Sequence, residues 1–128
     1  MSRFLVVEDD PASLDLIVYL LEAGGHVARA APTAERAFAC LEDETFDLVI
    51  CDLHLPDATG AEIAARIRAD GRWRDLPIVA VSAEFRTDSD AAIPGGWFDS
   101  TLAKPIDPRS FEAHLMGCLA RAQARRTG

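Results

Sequence analysis

A chain of 128 residues that is 49% hydrophobic and 27% charged holds one globular core and has no room for a second. Its formal charge is −8, and with the three late arginines Arg121, Arg125 and Arg126 set aside the body carries −11, which disfavours direct nucleic-acid binding by that body. The longest apolar runs, such as Leu16 to Leu21, fall far short of a membrane span and no signal-peptide layout opens the chain, so a cytoplasmic protein without membrane contact is expected.

Leu5 to Val7 reads as a short first strand, followed by Glu8-Asp9-Asp10 and by Pro11, which suits the first turn of a helix capped by Asp10. Leu14, Ile17, Val18 and Leu21 give that helix an apolar face, and Gly24-Gly25 ends it before a second strand near His26 to Ala30. Thr33 caps a second helix with Ala34, Ala37, Phe38 and Leu41 facing inward. Phe46 to Cys51, closed by Asp52, is apolar enough for a central strand buried on both faces. After the turn residues Pro56 to Gly60, a third helix packs Ala61, Ile63, Ala64 and Ile67 and ends near Gly71. Ile78 to Val81, closed by Ser82, forms a fourth strand, and Thr101 to Ala103 forms a fifth that ends at Lys104-Pro105. Asp107-Pro108 starts a final helix with Phe111, Leu115, Cys118 and Leu119 inward.

Regular alternation of strand and helix predicts a doubly wound α/β domain, a five-stranded parallel sheet of order 2-1-3-4-5 whose ligands bind beyond the carboxyl ends of the strands. Those ends carry Glu8, Asp9 and Asp10, then Asp52, Ser82 and Lys104. Carboxylates ~4 Å apart repel by about 4 kcal/mol per pair at an effective dielectric of ~20, so such a cluster takes up protons or holds a cation. Hard oxygen donors on a half-open site favour Mg²⁺. A carboxylate can also be a nucleophile toward phosphorus when a metal and a cation offset the charge, which points to Asp52 with Asp9 and Glu8 on the metal side. Ser82 can donate to a phosphoryl oxygen, and Lys104 can pair with Asp52 before transfer and with the phosphoryl group after it. The chain has 12 arginines and this one lysine, which suggests a position that a planar guanidinium does not fit.

The segments Leu5-Val6-Val7-Glu8-Asp9-Asp10, Asp47 to Pro56, Pro77 to Ala83 and Leu102-Ala103-Lys104-Pro105 resemble, in that order, the response-regulator receiver family over roughly residues 3 to 120. The resemblance implies a flavodoxin-like fold with a receiver domain over 1–122 and a short basic tail over 123–128. It implies Asp52 as phosphoacceptor, Asp9 as a direct Mg²⁺ ligand, Glu8 as a ligand through water, and the backbone carbonyl of His54 as a further ligand. It also implies phosphorylation by a histidine kinase or a histidine phosphotransfer protein, and a switch acting through protein contacts rather than a turnover enzyme. By the same resemblance, His54 and Glu84 occupy the two positions flanking the family's active site that tune phosphoryl lifetime. Asp10 is expected to cap the first helix instead of binding metal.

Two departures bear on the readout. Thr101 stands where many members of the family carry an aromatic switch residue, and Ile93-Pro94-Gly95-Gly96 predicts a short or irregular fourth helix. Cys40, Cys51 and Cys118 read as free thiols, His26 and His114 as surface residues, and Trp73 and Trp97 as partly packed loop residues. The alternative function is a pseudo-receiver, an interaction module that is never phosphorylated. A flavin or nucleotide binder is opposed by the acidic, glycine-free first loop, and an aspartyl-phosphate hydrolase by the lack of a second acid two positions after Asp52. The Met1 start and the scarcity of linker favour a stand-alone regulator.

Overall fold

The computed structural model describes residues 2–84 and 97–127. In chain order these form β1 (Arg3–Val7), α1 (Pro11–Ala23), β2 (Val27–Ala31), α2 (Ala34–Asp43), β3 (Leu48–Asp52), α3 (Gly60–Ala69), β4 (Ile78–Ser82), β5 (Ser100–Ala103) and α4 (Phe111–Thr127). The strands make one parallel sheet in the order β2-β1-β3-β4-β5, as the alternation predicts. The irregular helix expected around Ile93 to Gly96 lies outside the described residues.

Strand pleating divides the core in two. Phe4 and Val6 of β1, Leu48 and Ile50 of β3, and Val79 and Val81 of β4 point to one face, where Ile17 and Leu21 of α1 and Phe111 and Leu115 of α4 meet them. Their neighbours Leu5, Val7, Val49, Cys51, Ile78 and Ala80 point to the other face, against Ala37 and Leu41 of α2 and Ile63 and Ile67 of α3. Burial of each large side chain contributes about 1.5–3 kcal/mol, and the two-sided burial explains why β3 and β4 have no polar residue before their last position.

Local signals fix the helix ends beside the sheet edge. Asp10 Oδ2 accepts from Ser13 N at 3.1 Å with Pro11 opening α1, and Thr33 Oγ1 accepts from Arg36 N at 3.1 Å at the start of α2. Gly25 takes a positive φ of 86°, the conformation expected of the diglycine after α1. The last helix begins later than Asp107-Pro108 suggests: residues 108–110 form a turn whose following amide, Phe111 N, bonds to Asp107 O at 3.1 Å. α4 then continues to Thr127, so the basic tail has helical backbone through that residue.

The two histidines expected at the surface are held by partners instead. His26 lies edge-on to Phe4, accepts from Ser2 N at Nδ1 and faces Glu112 through Nε2 at 3.1 Å, leaving its side chain 10% exposed. His114 Nε2 sits 2.6 Å from the hydroxyl of buried Ser100, joining α4 to β5. Cys51 and Cys118 are buried, Cys40 is half-buried, and all three are free thiols. Trp73 and Trp97 pack, partly buried, against the α2 and α3 side of the core.

Candidate functional site

Parallel pairing brings the strand ends together. Val7 stands opposite Cys51, so Glu8 and Asp52, each one residue further on, meet at the carboxyl edge of adjacent strands. Asp52 in turn pairs with Val81, and Ser82 pairs with Ala103, which places Ser82 and Lys104 at the same edge. The Lys104-Pro105 peptide is cis. The carboxylates of Glu8, Asp9 and Asp52 lie within 4.8 Å of one another.

Burial and charge are unequal among the three acids. Glu8 is 1% exposed and Asp52 6%, whereas Asp9 is exposed. Lys104 Nζ lies 2.8 Å from Asp52 Oδ2, as a hydrogen bond, and 2.6 Å from Glu8 Oε1. The second contact is an ion pair in distance only: Glu8 Oε1 is buried and receives no hydrogen bond, while Glu8 Oε2 accepts from Asp10 N at 3.1 Å. Asp52 Oδ1 accepts from His54 N at 3.0 Å.

These contacts split the titration of the two buried acids. Burial, reinforced by hydrogen bonding with Asp52, raises Glu8 to about 7 against the opposing pull of Lys104. Burial also pushes Asp52 upward, but hydrogen bonds from Glu8, Lys104 and the His54 amide outweigh it and hold Asp52 below the usual carboxylate range. Lys104 is desolvated too, and its two carboxylate partners nonetheless raise its pKa. The resting arrangement is an anionic Asp52 beside a cationic lysine and a Glu8 that readily carries a proton.

Ser82 is buried, and its Oγ accepts from Glu84 N at 3.0 Å, which leaves the hydroxyl hydrogen available as a donor. The His54 imidazole and the Glu84 carboxylate contact each other as two exposed side chains. Thr101 is buried within β5 opposite Ala80, three residues before Lys104. Asp10 caps α1, so its side chain is committed to Ser13 N.

Three supports escaped the sequence reading. Gly60 packs so close to the end of β3 that an added Cβ would lie 2.6 Å from Asp52 O and 2.9 Å from Leu53 Cα. Thr59 and Glu62 form a reciprocal capping box at the start of α3, a Thr-x-x-Glu signal that was present in the sequence and not used. Asp57 reaches across to α2, accepting from Ala34 N at 2.9 Å and Glu35 N at 3.0 Å. That contact spans 23 residues and had no local signal.

Residues 4–116 match the response regulator receiver domain family. The chain belongs to that family. This receiver is 38% identical over 105 residues to an uncharacterized 14.6 kDa protein of Leptolyngbya boryana, covering 81% of this chain and 79% of that one. It is 31% identical to the phosphate regulon transcriptional regulatory protein PhoB of Pseudomonas aeruginosa, covering 99% of this chain and 53% of the relative. The receiver thus spans about half the length of several curated regulators it matches. Among solved structures, a CheY-like receiver from Methanospirillum hungatei superposes with a TM-score of 0.82 at 25% identity, over 98% of both chains. The receiver domain of a sensor histidine kinase from Pseudomonas aeruginosa, solved with magnesium coordinated in its active-site cleft, has the same fold: TM-score 0.78 at 24% identity, over 93% of this chain and 98% of that one. No helix among the described residues is long and apolar enough to cross a membrane.

Proposed function

We propose that this receiver is a phosphoacceptor switch of a two-component phosphorelay in which Asp52 takes a phosphoryl group from a histidine kinase or a histidine phosphotransfer protein in the cytoplasm. The observation that carries the reading is the convergence of Glu8, Asp9 and Asp52 within 4.8 Å beside Lys104. The donor set suits a hard divalent cation, because it is made of carboxylates and includes a buried Glu8 oxygen without a hydrogen bond. Mg²⁺ would be held by Asp9 and Asp52 directly, by Glu8 through water and by the backbone carbonyl of His54. When bound, it supplies charge neutralisation to the phosphoryl oxygens.

The chain's own groups account for the rest of the transfer. Asp52 is kept anionic and is therefore competent as a nucleophile: its P–O bond forms as the donor's P–N bond breaks, and the departing imidazole takes up a proton. Lys104, already bonded to Asp52, follows the negative charge onto the phosphoryl group, and the Ser82 hydroxyl donates to a phosphoryl oxygen. His54 and Glu84, two exposed side chains in contact with each other, would set how easily water reaches the acyl phosphate. Thr101 provides no aromatic ring to follow Ser82, so output passes through contacts other than a ring swing.

Incubation with Mg²⁺ and acetyl phosphate, followed by intact-mass analysis, should give an adduct of one phosphoryl group that is labile in base and missing from Asp52→Asn. A protein that gains no adduct from acetyl phosphate or from phosphorylated kinase is an interaction module, and the proposal fails. Steady multiple-turnover phosphate release from phosphomonoesters would instead make it a hydrolase.

A further inference from the structure

At the end of the sheet opposite Asp52, the α2–β3 and α3–β4 connections enclose a groove of about 520 Å³, within the range of about 300–1,000 Å³ typical of ligand sites. Its floor is apolar: Leu41 is buried, and Phe46, Trp73 and Leu76 pack partly exposed against the core. Its rim carries Glu42, Asp43, Glu44 and Asp75, of which Glu42 and Glu44 are already held by arginines. Arg72 brings no spare positive charge, since it lies over the Trp73 ring at 4.3 Å and is paired with Glu42 and with Asp70 at 2.9 Å. Glu44 is shared by Arg3 and Arg29. Asp43 at the end of α2 and Asp75 in the α3–β4 connection have no ion pair among the described residues.

We propose that this groove docks a basic segment of a protein partner, receiving one arginine side chain with its methylene stem on Phe46 and Leu76 and its guanidinium between Asp43 and Asp75. Charge complementarity selects a cation, and the apolar floor selects one with a long stem. The same flank already stacks guanidinium groups on aromatic faces: Arg72 on Trp73, Arg66 on Phe38 at 3.8 Å and Arg3 near Phe46 at 5.9 Å. The rim residues Glu42, Asp43, Thr45, Gly71 and Asp75 are all exposed, so an occupant stays partly in water. That suits a side chain carried on a backbone better than a free cation, which needs most of its surface enclosed. The assignment is independent of phosphorylation at Asp52.

The probe is acetyl-Gly-Leu-Arg-Leu-Gly-amide titrated into the ¹⁵N-labelled full chain, beside the same peptide with citrulline in place of arginine. Amide shifts confined to residues 41–46 and 71–76, saturating with the arginine peptide and not with citrulline, are expected. Asp43→Asn with Asp75→Asn should weaken binding about five- to tenfold while leaving the remaining spectrum in place. Shifts scattered over the acidic surface, equal binding of the citrulline peptide, or unchanged affinity in the double variant would overturn the proposal. Arginine amide binding as tightly as the peptide would overturn the assignment to a protein segment. Arginine-peptide shifts that persist in Asp52→Asn separate this site from the phosphoacceptor pocket.

Discussion

Changing pH between 6 and 8 should change the affinity for Mg²⁺ because the ion must displace a proton from Glu8. With Glu8 raised to about 7, roughly nine in ten of these carboxyls are protonated at pH 6 and one in ten at pH 8. Apparent Mg²⁺ affinity should therefore fall about tenfold from pH 8 to pH 6, whereas a glutamate with an ordinary pKa would leave it flat over that window. Calorimetric titration in two buffers of different ionisation enthalpy counts the protons directly: about 0.9 released per ion at pH 6, 0.5 at pH 7 and 0.1 at pH 8. Glu8→Gln should abolish the dependence. The same linkage acts on the metal-free protein with a definite sign. A raised carboxyl pKa contributes stability fully present below its ordinary value of 4.5 and lost as pH rises through about 7, so Glu8 alone removes about 1 kcal/mol between pH 6 and 8. Equal proton counts at pH 6 and pH 8 would refute the reasoning, since they would mean that the buried oxygen beside Lys104 is charged throughout.

Other perturbations test the supports of the site. Lys104→Met leaves Glu8 and Asp52 without their cation and should cost about 2 kcal/mol in urea denaturation at pH 8, less at pH 6 where Glu8 is protonated; a loss independent of pH would contradict the pairing. Gly60→Ala forces a Cβ into the backbone of Asp52 and Leu53 and should lower stability by about 1–3 kcal/mol, which thermal denaturation reads against the harmless Gly71→Ala, whose Cβ meets nothing within 4 Å. Asp57→Ala removes the acceptor of two α2 amides, so hydrogen exchange at Ala34 and Glu35 should quicken while Arg36, bonded to Thr33, stays protected.

The sheet was legible because its information is local and periodic. Phe4 to Val7, Leu48 to Cys51 and Ile78 to Val81 are apolar on both faces, and only a parallel sheet covered by helices on each side buries them all. The strand-end acids, serine and lysine followed from that topology alone. Pairwise placement within the site was legible only in part: the Lys104–Asp52 pair was expected and is present, whereas the Lys104–Glu8 contact had no signal. Glu8 and Asp9 are adjacent, yet one is buried against Lys104 and the other exposed. His26 looked like a surface residue after two glycines, but its burial depends on Phe4, Ser2 and Glu112, the last of them 86 residues away. Asp57 escaped for the same reason: it lies in a loop and its partners are on α2.

The lone lysine gains a physical explanation from how the arginines are used. Arg68 spreads its guanidinium over the carbonyls of Trp97, Arg74 and Leu76 and the carboxylate of Asp99, and Arg29 grips both oxygens of Glu44. Arg68 spans several acceptors held apart by the fold, which is what a rigid fork with five donors does well. Lys104 faces the opposite demand. Two carboxylate oxygens from different strands approach one nitrogen at 2.6 and 2.8 Å in a pocket where both acids are almost fully buried. A fork would have to push one acid away, whereas a compact ammonium on a flexible stem fits between them and can turn toward new oxygens without losing its place. The residue type therefore suits the change of partners proposed for phosphoryl transfer, in contrast to an arginine such as Arg68 that holds fixed ones.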